Sequence, residues 1–171
     1  HSLEQHLHKL LRAGHRVAIC EQVEDPKKAK GIVKREVVEV LSPGTALSEK
    51  YLDGRENNFL ASVVFLRETV GIAILDHSTG EFHCGEWSIT SFKNVIQQFS
   101  VKEILVSENQ ASICESRLND SQFFISTFPD WIADRDTGYS ILTDHFRTNS
   151  LKGFGIENLN SGVCAAGAAL H

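Results

Sequence analysis

The sequence predicts an α/β domain built on a mixed sheet, preceded by a smaller α/β unit. Three observations carry this. Strand-like runs stand close together at "NFLASVVFL", "VGIAILDHS" and "EFHCGEW", separated by gaps short enough for hairpins. Beyond them, helical and strand-like patterns alternate to the end of the chain, which describes helices packed on a mixed sheet. Before them, one amphipathic helix and two strands end at Ser42-Pro43-Gly44, a turn sequence that marks the first boundary.

In the first unit, Ser2 and Gln5 have the spacing of a capping box, and Leu3, Leu7, Leu10 and Leu11 recur at helical spacing. Gly14 can end that helix in a left-handed turn. "HRVAICEQV" reads as a strand broken by Asp25-Pro26, and "IVKREVVEVL" reads as a second strand. Residues 45–57 have linker composition or form a short helix.

In the second unit, Gly80 suits the positive φ of a hairpin turn. A helix over "SITSFKNVIQQF" is opened by Ser88. Strand "VKEILVS", a weaker helix around "ASICESRL", strand "QFFISTF", helix "TGYSILTDHF" and a small-residue helix from Ile156 complete the order. Three antiparallel strands followed by strand–helix alternation suit a ribonuclease-H-like sheet.

The 171 residues, 42% apolar and 23% charged, form an ordinary core-containing protein. No apolar run approaches the roughly 18 residues that span a bilayer. The start has neither the basic end nor the apolar stretch of a signal peptide. Four widely spaced cysteines without a C-x-x-C pair read as reduced, mostly buried thiols of a cytoplasmic protein. With no Met, and a last helix that lacks a capping residue, the chain reads as a fragment of a longer protein.

Charge is unevenly divided. Residues 1–52 carry nine Lys+Arg against seven Asp+Glu, and residues 53–171 carry eight against fifteen. Lys27, Lys28, Lys30, Lys34 and Arg35 fall within nine positions, a patch that suits a phosphate backbone or an ordinary solvated loop equally well.

Cys20 lies late in an apolar strand beside Glu21, which disfavours a thiolate, and His15 is too far along the same strand to activate it. It reads as a structural residue of a core strand. His6 and His8 at i, i+2 cannot share a helix face. His77, His83 and Cys84 lack the paired spacing of zinc ligands. Asp76 on a strand, with Glu81, Glu86, Asp130, Asp134 or Asp136, could in principle hold two metals. No spacing selects a set, and Asp76 in "DHSTG" reads better as a turn residue. Phosphate-loop, dinucleotide and nucleophile-elbow motifs are absent from the sequence.

The segments "HSLEQHLHKLLRAGHRVAICEQVEDP", "KGIVKREVVEVLSPGT", "NNFLASVV", "LDHSTGEF" and "GFGIENLNSGVCAAGAAL" resemble the MutS family of bacterial DNA mismatch-recognition ATPases, and the resemblance runs end to end. It implies that residues 1–44 are the end of a mismatch-recognition domain, 45–57 a linker, and 58–171 a connector domain, ribonuclease-H-like but without nuclease activity. Arg35 matches the basic position in "VKRE", with Lys34 second, and their implied work is phosphate neutralisation rather than base reading. The family's Phe-x-Glu wedge, lever, clamp and ATPase domains have no counterpart in these residues. The resemblance therefore implies a non-enzymatic fragment without cofactors, ATP and Mg²⁺ belonging to the full-length family. The partners implied are mismatched double-stranded DNA, a second MutS copy in the full-length form, and MutL. The helix "DTGYSILTDHF" is the expected MutL contact, through Tyr139, Ser140 and Ile141. The competing expectation, from another class, is a metal-dependent ribonuclease-H-like nuclease centred on Asp76.

Overall fold

The computed structural model describes residues 2–26, 31–44, 59–99, 101–118 and 123–171. Lys27, Lys28, Lys30, the linker at 45–57 and the Ser2 and Gln5 side chains lie outside what is described.

Helix α1 spans Ser2–Arg12, and Gly14 follows at φ 80°, the left-handed turn its lack of a Cβ permits. Strands β1 (Val17–Gln22) and β2 (Arg35–Leu41) form an antiparallel two-stranded sheet. Leu7 and Leu11 of α1 pack on Ile19 and Leu41, a small core. Leu3, Leu10, Val37, Val38 and Val40 stay exposed. Cys20 is exposed as well, which corrects its reading as a core-strand residue. Side chains alternate across a strand, so with Ile19 turned under α1, Cys20 faces the open side.

The second unit is a five-stranded sheet in the order β5-β4-β3-β6-β7. Its strands are β3 (Phe59–Leu66), β4 (Thr69–Asp76), β5 (Glu81–Ser88), β6 (Glu103–Ser107) and β7 (Phe124–Phe128). The first three pair antiparallel, whereas β6 runs parallel to β3 and β7 parallel to β6. This is the mixed, ribonuclease-H-like sheet the element order predicts. Strand β3 sits at its centre and is buried on both faces, which is why its sequence is a continuous apolar run rather than an alternation.

Helices α2 (Phe92–Gln98) and α3 (Ala111–Leu118) cover one face, where Val63, Phe65, Ile72, Ile96, Ile104 and Leu118 make the larger core. Helices α4 (Arg135–Phe146) and α5 (Asn160–Leu170) cover the other, over Val64, Ala73, Leu142 and Val163. Helix α5 begins four residues after the predicted Ile156. Residues 156–159 instead close a turn through Leu159 N–H to the Ile156 carbonyl at 3.0 Å.

The small residues of α5 are explained by how closely it approaches its neighbours. A Cβ on Gly167 would stand 2.3 Å from Gly138 Cα, so α4 and α5 touch backbone to backbone. The start of α5 is held by Glu86 of β5, whose Oε2 accepts from Ser161 N–H and Ser161 Oγ, each at 2.8 Å. A carboxylate there satisfies free amides and meets the positive end of the helix dipole.

Candidate functional site

Five of the six carboxylates that a nuclease reading would gather are engaged elsewhere, and the sixth, Asp136, lines an open pocket on α4. Asp76 is fully buried, and its Oδ1 accepts from Ser78 N–H at 2.9 Å and Ser78 Oγ at 2.6 Å, the turn role its sequence predicts. Gly80 N–H closes the same turn on the Asp76 carbonyl at 2.9 Å. Glu81 lies 2.7 Å from His83 Nε2, and Glu86 caps α5. Asp130 accepts from Asn109 N–H at 3.0 Å. Asp134 caps α4, where the Thr137 backbone N–H holds its carboxyl below the ordinary value. Among the described residues, no three His, Cys, Asp or Glu side chains stand together as a metal site. The convergence a two-metal nuclease requires is therefore not found there.

Buried cysteines are held as thiols. Burial pushes Cys114 up to about 12 and Cys164 up to about 11, and raises Cys84.

Arg35 and Lys34 stand at the start of β2, both exposed. The pairing of β1 and β2 slips between Ile19↔Glu39 and Cys20↔Val37, leaving one extra residue, Val38, on β2. Such a bulge reverses the side to which the following residues point. Paired residues share a face, so Arg35 lies with Gln22, Val37 and Cys20 on the side away from α1. Lys34 forms an ion pair with Glu36. Among the described residues no carboxylate pairs with the Arg35 guanidinium.

Tyr139 and Ser140 line an open pocket of about 450 Å³ together with Arg135, Asp136, Thr143 and Glu157. Residues 135, 136, 139, 140 and 143 recur at the spacing of one helical face. Ile141 is half-buried and does not line it. Arg135 Nη2 donates to the Glu157 carbonyl at 2.7 Å, and its guanidinium lies 5.9 Å from the Tyr139 ring centroid. The Glu157 carboxylate accepts from Leu151 N–H at 2.9 Å and from Tyr139 Oη at 3.3 Å. The pocket wall is thus fixed by bonds between α4 and the loop before α5. The sequence singled out Tyr139 and Ser140 as an expected partner contact, and it gave no sign of Arg135 and Glu157, to which Tyr139 is tied. "GFGIEN" carries no signal that its glutamate reaches back to α4.

The family model of MutS domain I matches residues 1–50, and that of MutS domain II matches residues 58–171. The chain belongs to the MutS family. It is 45% identical over its whole length to the DNA mismatch repair protein MutS of Flavobacterium johnsoniae. Identity is 44% to that of Flavobacterium psychrophilum and 43% to that of Parabacteroides distasonis, again over the whole chain. The chain spans 20% of the length of these MutS relatives. Among the described residues, no helix is long and apolar enough to cross a membrane.

Proposed function

We propose that this MutS segment is a non-catalytic coupling piece of a cytoplasmic mismatch-repair protein. Residues 1–44 complete a mismatch-recognition domain, 45–57 link, and 58–171 form the connector that passes the DNA-bound state toward the ATPase part and engages MutL. ATP and Mg²⁺ belong, on this reading, to other parts of the full-length homodimer, as does the direct reading of a mismatch.

The observation that carries the reading is the pocket on α4. Tyr139 and Ser140 present polar groups on an open helix face that is hydrogen-bonded to the loop before α5, the mixture of apolar and polar groups that suits a protein contact. Capture by immobilised MutL tests it. Ser140→Arg fills the pocket mouth from an exposed position and should abolish capture while leaving the melting temperature unchanged. Undiminished capture by a folded Ser140→Arg variant would remove MutL from this face.

Arg35, with Lys34 beside it, is proposed to neutralise backbone phosphates. So few contacts give weak binding whose affinity falls with salt by a power of roughly 0.9 per phosphate. Titration of a labelled duplex should show no preference for a mismatch, and Arg35→Ala should flatten the salt slope. Tight binding that favours the mismatched duplex would overturn this assignment.

A further inference from the structure

Glu103 opens β6 and is buried, with 4% of its surface exposed. A carboxylate withdrawn from water needs donors on its oxygens. Its Oε1 accepts from Ser126 Oγ of β7 at 2.7 Å, a bond within the five-stranded sheet. Its Oε2 accepts from Ser42 Oγ and, at 2.9 Å, from Gly44 N–H. Both of these donors come from the turn that follows β2, in the other unit. One buried acid therefore has one oxygen anchored in its own sheet and the other occupied by the neighbouring unit.

The fit is tight as well as polar. A Cβ on Gly44 would stand 2.8 Å from Glu103 Cβ and 3.2 Å from Leu60 Cδ1. Leu60 is the residue paired with Glu103 in the β3–β6 ladder, so the turn rests on the end of the sheet. Pro43 between the two donors fixes its own φ and restricts Ser42 before it, which limits the shapes the turn can take.

We infer that Ser42-Pro43-Gly44 and Glu103 form a latch that sets the angle between the two-stranded unit and the five-stranded sheet. If the units part, Glu103 Oε2 loses both donors and must be rehydrated, so the junction favours a docked and an undocked arrangement over a continuous hinge. Arg35 lies at the far end of β2 from Ser42, roughly 20 Å away at strand rise, so a small change at the latch moves it by a larger amount. This holds whatever either unit binds.

Pulsed electron–electron distance measurements on the chain test the latch. Spin labels go on the exposed native Cys20 and on Asn94→Cys, an exposed position of α2, in a Cys84→Ser background. The parent should give one narrow distance distribution. Ser42→Ala, which removes a donor, and Gly44→Ala, which wedges a methyl against Glu103, should each broaden or shift it. Circular dichroism should show the sheet intact, because both changes lie outside it. A distribution as narrow as the parent's, at the same distance, in both variants would overturn the latch. Should either variant melt the sheet, Glu103→Leu decides by the same measurement: it keeps much of the side chain's bulk but offers Ser42 and Gly44 no acceptor, and an unchanged distribution there refutes the proposal.

Discussion

Gly71 of β4 lies so close beneath the start of α5 that a Cβ on it would stand 1.9 Å from the Ser161 carbonyl oxygen. The obstacle is backbone, and Ser161 is itself held by Glu86, so neither side can yield cheaply. Gly71→Ala should cost about 1–3 kcal/mol or more, as overpacking does. Denaturant unfolding checks this, and an unchanged midpoint would show that α5 can slide.

Asp76→Asn keeps an acceptor for the Ser78 donors, whereas Asp76→Ala removes it. The alanine variant should therefore unfold at lower denaturant than the asparagine variant, by about 1–3 kcal/mol for buried donors left unmatched. Neither the parent nor the variants should cleave RNA–DNA hybrids or branched DNA in Mn²⁺. Cleavage that vanishes in Asp76→Asn would restore the nuclease reading.

Alkaline pH should destabilise the fold through its thiols. Burial in the folded chain pushes Cys114 up to about 12 and Cys164 up to about 11, against an ordinary 9.0 for an accessible thiol. A folded pKa above the unfolded one means this stability is complete below about pH 9 and lost as pH rises toward 11–12. Urea midpoints measured from pH 8 upward should fall accordingly, and Cys114→Ala should flatten the decline while lowering stability overall. A parent midpoint that does not fall above pH 9 would contradict the burial of these groups.

The two units should differ in local stability. The first rests on Leu7, Leu11, Ile19 and Leu41, while the sheet is covered on both faces. Burying an aliphatic side chain contributes roughly 1.5–3 kcal/mol, and ordering each residue costs on the order of 1–2 kcal/mol of backbone entropy. Amide exchange should be fast through α1, β1 and β2 and slow through β3 and β4. Equal protection in a dilute monomer would mean that the junction at Glu103 stabilises the first unit more than its own core does.

Wherever a pattern is local, the sequence by itself determined the result. Apolar, β-branched runs bounded by turn residues located the seven strands seen among the described residues, because such side chains suit the extended backbone. "DHSTG" specified its turn, since the Asp76 side chain bonds a backbone amide two residues on. The family likeness, too, lies in local segments spread along the whole chain. Tertiary structure alone decided which distant groups meet. The bulge at Val38 turned Arg35 to the face away from α1, and strand pairing rather than composition set it there. Cys20 came out exposed because the unit it belongs to covers only one side of its sheet. Glu86, Glu157 and Glu103 look alike in the sequence, three acids among twenty-two. Packing made one a helix cap, one the support of a pocket and one the join between two units. A carboxylate's role depends on which donors reach it, and those donors stand 75, 18 and 61 residues away along the chain.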